Sequence, residues 1–574
     1  LSQSEIQLRL NMAVNVEPFI PPYRILHRAK PLLFRSSSLK FPSSKTAGPR
    51  FVCVRATQLE SSSGEVARDP SLSTSYRIPH AKPNQTVLEA QGRVCTGPSQ
   101  TRPLDEDQAF RVLDTILRSA RGELRDEDPV SKAQMGAFFA GMTIRANAFP
   151  EETQWSEGEK KAFNVLWPFL VKSLPQEVIF LADPEGSIMG TSASVNFTGD
   201  GAKEMRLVGA LREILAGGHL GYEENIGVLR DVLPFHSSNS EVSEALLAAL
   251  LIGQRMNRET DRELKAYCLA FDDEMGSSPV ADVKSLTHFG EPYDGSTRFF
   301  KSTLFVAAVR ACYGESSLLH GVEWMPPKGG VTEEQMLKFM GANTRLTPSI
   351  AKNIIEEVGF GYISLREGSP SQYSLVGLRE HIKKRPPLAT TEKIQRFVRA
   401  SGKEAMVCGF YHEGYEDSLL MLMKRQGVSS GLVIKGEEGS VSLTTRVRNL
   451  AITKGFPVNY CSGFRETASD LDGFTRQNFK LEINAEDYGF TPSDTPRTDR
   501  SVAKNIEIGL AALRGEKGPA YDRIVLNAAV VDHLLGCDGA GDLTSAIDRS
   551  KQAIDSGSAL KKILNYITLS HKLS

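Results

Sequence analysis

The chain is 574 residues long, 40% hydrophobic and 24% charged, with 68 Lys and Arg against 69 Asp and Glu for a formal net charge of −1. That length predicts roughly two to four domains, and the balanced charge excludes capture of a polyanion by bulk field, so any such affinity needs a local basic face. No apolar run approaches the roughly 18 residues of a membrane span, and the seven cysteines are scattered without a CxxC pair, which argues for free or buried thiols over a disulfide framework or zinc site.

From Met12 to Arg55 one acid, Glu17, stands against eight Lys and Arg, with five serines in "RSSSLKFPSSK". Acid-poor leaders rich in Arg and Ser are the composition of organelle transit peptides. The ending "FVCVRA" suits chloroplast processing near Arg55 or Ala56; the competing reading is a basic tail. Residues 1–11, ahead of the first methionine, read as upstream sequence, and 1–55 as a leader to the plastid stroma. Residues 56–104 are rich in Ser, Pro, Gly and Gln without apolar periodicity and read as a flexible linker.

Helices begin at "DEDQAFRVLDTIL", followed by "DPVSKAQMGAFFAGMTIRA" with Ser131 as N-cap and a face of small residues suited to close helix packing. Starting 112 residues later, "VSEALLAALLIG" (242–253) aligns with "VSKAQMGAFFAG" (130–141) without a gap. This predicts a duplicated helical module, set against chance similarity of two amphipathic helices. Domains are expected at 105–204 (first module with an insert), 205–279 (second helical module) and 280–574 (α/β). The insert "EVIFLADPEGSIMGTSASVNFTGDGAKE" reads as strand-like at first and then Gly- and Ser-rich, with "FTGDG" as an ordinary loop or a weak phosphate loop.

Beyond about residue 280, apolar runs alternate with helices. "SSLLHG", "GFGYISL", "AMVCGFY", "SGLVIKG" and "RIVLN" are candidate strands. "STLFVAAVRAC", "TEEQMLKFMG", "YEDSLLMLMKRQG" and the tail "SAIDRSKQAIDSGSALKKILNYI" are candidate helices. The fold class is therefore α/β: a helical N-terminal domain and a larger α/β domain with a mostly parallel central sheet.

The closing segments "LEINAEDYGFTPSD", "KNIEIGLAALRGEKGPAYDRIVLNAAVVDHLLG" and "AIDSGSALKKIL", with the module "LREILAGGHLGYEE…VSEALLAALL", resemble glycosyltransferase family 3, the anthranilate phosphoribosyltransferase-like proteins. The resemblance covers roughly 205–570 and, more loosely, 107–147. It implies the anthranilate phosphoribosyltransferase and nucleoside phosphorylase type of fold, a homodimer through the helical domain, and a site for phosphoribosyl pyrophosphate and magnesium. A nucleoside phosphorylase itself is the weaker match, because the extra C-terminal domain usual there has no counterpart.

Carried over residue by residue, the family's glycine-rich phosphate loop falls on "GEPYDGSTRFFKST". Gly290, Asp294, Gly295, Ser302 and Thr303 stand in register, while Pro292 and Tyr293 replace glycines and Phe300 replaces an Asn. Proline removes a donor and fixes its backbone. The family's Lys-His-Gly-Asn-Arg stretch falls on "LLHGVEWMPPKGG": His320, Gly321, Lys328 and Gly330 match, Leu319 and Val322 replace Lys and Asn, Glu323 replaces an Arg, and Pro326 and Pro327 replace serines. Glu323 is expected to repel phosphate. At the acceptor segment Arg379 survives, but Ser369 stands where the family has His. The magnesium-binding Asp-Glu pair aligns with Val441 and Ser442, so no metal ligand is assigned.

"HFGEPYDGSTR" and "YHEGYEDSLLMLMKRQGVSSGLVIKGEEG" look most like the YbiB-type branch, which implies a reduced phosphoribosyl site and nucleic-acid binding without sequence preference. Residues 379–403 hold eight Lys or Arg against two Glu, and Lys383, Lys384, Arg385, Lys393, Arg396, Arg399 and Lys403 form a candidate patch for a phosphate backbone, weighed against a solvated surface helix. Two functions follow. One is binding of nucleic acid or another phosphate-bearing ligand on a scaffold with altered catalytic motifs. The alternative is an active plastid anthranilate phosphoribosyltransferase in tryptophan biosynthesis, for which alone magnesium and phosphoribosyl pyrophosphate would be required.

Overall fold

The structure, a computed structural model, describes residues 82–125, 127–190, 192, 194–233, 242–446, 456–469 and 473–573. The leader read at 1–55 and most of the linker lie outside them. What is described of the linker is not extended: Asn84 caps a helix, α1 (Gln85–Val94), whose Val87 and Val94 are fully buried. Helical structure therefore starts about twenty residues ahead of the expected boundary.

Helices α2 (Glu106–Ala120), α3 (Lys132–Ala148) and α4 (Glu157–Ser173) complete a first module, each opened by a reciprocal capping box from Asp105, Ser131 and Ser156. A short helix, α5 (Gln176–Ala182), occupies the stretch read as strand; its apolar run is buried, and period alone does not separate a short buried helix from a strand. A second module repeats the first with α6 (Gly201–Leu215), α7 (Tyr222–Val232), α8 (Glu244–Asn257) and α9 (Asp261–Met275). In each module the first helix packs on the third and the second on the fourth, and the two third helices, α3 and α8, pack on each other. Both are apolar almost all round, as helices enclosed by neighbours must be.

The α/β part is built on a seven-stranded sheet. Its strands are β2 (Ser285–Gly290), β3 (Ser316–Gly321), β4 (Phe360–Ser364), β6 (Lys403–Gly409), β7 (Ser430–Ile434), β8 (Tyr460–Ser469) and β9 (Gly473–Glu482), in the order β4-β3-β2-β6-β7-β8-β9. The first five in that order are parallel, and β8 and β9 are antiparallel additions. A two-residue pair, β1 (Val280–Ala281) with β5 (Arg399–Ala400), lies beside it. The four runs read as "SSLLHG", "GFGYISL", "AMVCGFY" and "SGLVIKG" are strands; "RIVLN" lies inside a helix, Pro519–Leu535, buried on nearly every side.

The helix Thr303–Arg310 is tied to the sheet by its last residue. Fully buried Arg310 donates to Ser317 (2.7 Å) beside Thr287 (2.9 Å) and to Asp532 (2.6 Å) of Pro519–Leu535. Leu375, Leu378, Ile382 and Leu388 insert into the core of the helical modules, which anchors the intervening basic segment between the two parts. Among the described residues no helix is long and apolar enough to cross a membrane.

Candidate functional site

Strand order reverses between β2 and β6, the place where open parallel sheets leave a crevice beyond their carboxyl ends. The loops after Gly290, Gly321 and Gly409 meet there. Close backbone approach fixes two of the glycines: a Cβ on Gly295 (φ +71°) would lie 2.5 Å from Val331 O, and one on Gly409 2.1 Å from Gly439 O.

The loop after β2 presents donors as an anion site does, and the chain's own Glu438 takes them. Its carboxylate accepts from Thr297 Oγ1 (2.6 Å), Ser296 Oγ (3.0 Å) and the backbone N–H groups of Thr297 and Arg298 (both 3.1 Å). Burial works against that charge, but the Thr297 hydroxyl, Lys328 and the loop's N–H bonds outweigh it and hold the carboxyl down to about 2. Lys328 donates to Glu438 O (3.0 Å) and Gly295 O (3.2 Å). Asp294 is held by Arg385 at 2.6 Å.

Other groups here are also answered from within. Tyr293 OH lies 2.6 Å from His320 Nδ1 and donates to Glu392 O (3.0 Å). Burial, with His288 adding to it, pushes His320 down to about 3, so its ring is neutral. Lys301 sits between Glu333 (2.9 Å) and Glu291 (3.2 Å), and Thr303 donates to Glu291. Arg379 pairs with Glu392 at 2.7 Å, both 3% exposed, beside a cavity of about 60 Å³. Ser302 and Ser442 share a hydrogen bond (2.8 Å), and Glu437 is paired with Arg523 (2.9 Å).

A cleft between the helical modules and the α/β part differs. It has two adjoining lobes of about 530 and 480 Å³ that share Gly97, Gln100, Arg255, Glu259, Tyr411, His412 and Tyr415. Arg255, Arg258, Lys328, Lys383, Lys384, Arg385, Lys393 and Lys435 line it, against only Glu259 and Glu413. Burial pushes Lys328, Lys384 and Lys393 below the ordinary lysine range, opposed in part by Asp294, Cys95 and Cys408 respectively and aided by neighbouring cations. Burial lowers Lys435 as well. His412 is pushed to about 4 by burial and by Arg255, Lys435 and Arg385. Aromatic faces interleave with the cations: Lys435 Nζ stands 4.8 Å from the Tyr411 ring centre and Arg255 5.6 Å from that of Tyr415. Crowded cations with few acids make a site that a bound anion would stabilise.

No family model matches the chain. Its sequence is 26% identical over 364 residues to the anthranilate phosphoribosyltransferase of Aquifex aeolicus, spanning 63% of this chain and 98% of that protein. It is 24% identical over 367 residues to that of Chromobacterium violaceum, again 63% and 98%. Among solved structures, the Saccharomyces cerevisiae anthranilate phosphoribosyltransferase in complex with PRPP and Mg superposes with a TM-score of 0.50 at 15% identity, over 64% of this chain and 98% of that one. By sequence and by fold the chain is anthranilate phosphoribosyltransferase-like.

For this anthranilate phosphoribosyltransferase-like chain the structure brings most of the sequence-matched residues together. Gly290, Asp294, Gly295, Ser302, Thr303, His320, Gly321, Lys328 and Gly330 gather at the carboxyl ends of β2 and β3, with Gly330 N donating to Asp294 O (2.8 Å). Glu323, expected to face phosphate, pairs instead with Lys338 (2.7 Å). The basic patch is divided and is not one helical face. Lys383, Lys384, Arg385 and Lys393 line the cleft, whereas Arg396 (3.0 Å) and Arg399 (3.6 Å) pair with Glu404 near Lys403, at the opposite end of β6. Sequence reasoning missed Arg255, Arg258, His412 and Lys435, and noticed Glu438 only as an acid displaced in register from the family's metal pair. The first two carried a signal: at the repeat's spacing their counterparts in α3 are the uncharged Thr143 and Ala146.

Proposed function

We propose that this chain retains the anthranilate phosphoribosyltransferase scaffold without its transfer reaction, and uses the interdomain cleft to bind a phosphate-bearing polyanion, single-stranded nucleic acid in the first instance. One observation carries this: the donors of the loop after β2 are filled by Glu438, while eight cations line the adjoining cleft against Glu259 and Glu413, with only Arg385 and Lys328 of the eight also facing Asp294 of the loop. The solved yeast neighbour is a complex with PRPP and Mg, but the residues present here do not suit them. Magnesium at a phosphate site is usually held by one or two carboxylates together with the substrate's phosphates and water. Ser302 and Ser442 offer only hydroxyls, and the nearby acids are engaged within the chain, Glu437 by Arg523, Glu438 by the loop, Asp294 by Arg385 and Glu291 by Lys301 and Thr303. Among the described residues no three His, Cys, Asp or Glu cluster to hold a metal.

Cations with aromatic faces suit a flexible phosphate backbone with exposed bases, because stacking tolerates any base. The test is fluorescence anisotropy of the full chain with a labelled single-stranded oligonucleotide across a salt series. Expected is binding at low salt that weakens linearly in log Kd against log salt; no binding at low salt overturns the reading. In parallel, anthranilate, phosphoribosyl pyrophosphate and magnesium should yield no phosphoribosyl-anthranilate. Turnover there would return the biosynthetic alternative.

A further inference from the structure

We infer that the first helical module is a built-in partner: a second copy of the module formed by α6 to α9 that covers, within one chain, the face for which an unduplicated module would need a second subunit, so that this chain is a monomer. The sequence repeat aligns α3 with α8, Gly141 with Gly253 and Ile144 with Met256. The contacts between the two helices obey that correspondence in both directions. A Cβ on Gly141 would lie 3.5 Å from Met256 Sδ, and one on Gly253 3.4 Å from Ile144 Cδ1. Reciprocity of this kind, where i meets the equivalent of j and j the equivalent of i, marks a self-complementary two-fold interface.

The likeness extends through each module. The fourth helix carries a buried glutamate at its third position, Glu159 or Glu263, which caps its own helix through Ser156 or Thr260. The same carboxylate accepts from the backbone ahead of the second helix, Leu104 N at 2.9 Å in one module and Leu220 N at 3.2 Å in the other. Where α3 crosses α8 the backbones nearly touch, since a Cβ on Gly136 would stand 2.2 Å from Ala245 O. Ala245 to Gln254 of α8 are buried, and with α3 absent that apolar face would lose its cover.

The copies are not interchangeable. Arg255, Arg258 and Glu259 of the second module line the cleft, and their counterparts in the first are Thr143, Ala146 and Asn147. The first module contributes a wall instead. Its Cys95–Gln100 segment borders the cleft, Gly92 O accepts from Lys384 Nζ (2.6 Å), and Ser131 Oγ bonds His381 Nδ1 (2.9 Å). The homodimer expected through the helical domain is replaced by this internal pairing, and one chain completes one cleft.

Sedimentation equilibrium of the full chain, with thermal unfolding at about 1 and about 100 µM, tests this without reference to any ligand. Expected are the mass of one chain throughout and a melting temperature independent of concentration. Gly136→Ala, and more strongly Gly136→Leu, should lower that temperature equally at both concentrations and leave the mass unchanged. A two-chain mass, or a melting temperature that rises with concentration, overturns the inference. Should Gly136→Leu fail to fold, the wild-type chain and Gly136→Ala decide it.

Discussion

The loop after β2 and the cleft beside it share Lys328 and Arg385, yet they treat charge in opposite ways. In the loop each cation has an in-chain counterpart: Arg385 and Asp294, Lys301 between Glu291 and Glu333, and behind them Arg379 and Glu392. In the cleft the lining cations outnumber the acids, and burial drives Lys328, Lys384 and Lys393 below the ordinary range. A conserved-looking motif and a charge run are equally visible in a sequence. Only the fold shows which cations meet a carboxylate of the chain itself, as Arg385 and Lys301 do, and which stand in a cleft whose lining holds few acids, as Lys383 and Lys384 do.

That contrast can be broken at several points. The largest effect should come from Arg379→Ala, which leaves Glu392 buried and unpaired and should cost about 3–5 kcal/mol by chemical denaturation. A loss well below that would mean Arg379 faces a ligand and belongs with the cleft. Next, Lys383→Gln with Lys384→Gln should weaken oligonucleotide binding roughly 10–100-fold at low salt and flatten the log–log salt slope by about 1.4. Unchanged affinity would reduce the cleft to a solvated surface.

Glu438→Gln should cost about 1–3 kcal/mol at neutral pH, because the loop's donors lose an ionised acceptor. Its folded-state value of about 2 lies below the ordinary 4.5, so the contribution is fully present above about 4.5 and is lost as pH falls toward 2. Denaturation of wild type and variant across that window should converge in acid; a constant gap would show that the charge is not what matters.

The smallest effect concerns His412. Held near 4 by burial and cations, it should gain a proton when a polyanion binds. Affinity should therefore rise a few-fold as pH drops from about 7 to about 5. His412→Gln should flatten that profile, and NMR titration should show the His412 value higher in the complex than in the free chain.

The central strands were legible because parallel strands buried on both faces read as short continuous apolar runs. The same rule misread "EVIFLA" and "RIVLN", since a helix enclosed by neighbours gives the same run. Gly518 and Pro519, a turn followed by proline at the first helical position, were the overlooked signal in the second case. Helix α1 escaped notice because its few apolar residues are helped by buried Gln91, whose amide donates to Gln134 O (3.0 Å). The repeat was visible only in α3 and α8, the helices that pack on each other. The site's glycines and hydroxyls stood in register in the sequence, but Glu438 did not. Its role depends on a loop more than 130 residues away closing over it.

The paired modules also change what a single mutation does. In a symmetric dimer every substitution is made twice, so a residue on the two-fold face must suit both of its roles at once. Here Gly141 and Gly253, or Thr143 and Arg255, are encoded separately. One copy therefore carries Arg255 toward the cleft while the other holds a buried, neutral Thr143 at the matching place, an asymmetry that two identical subunits cannot reach.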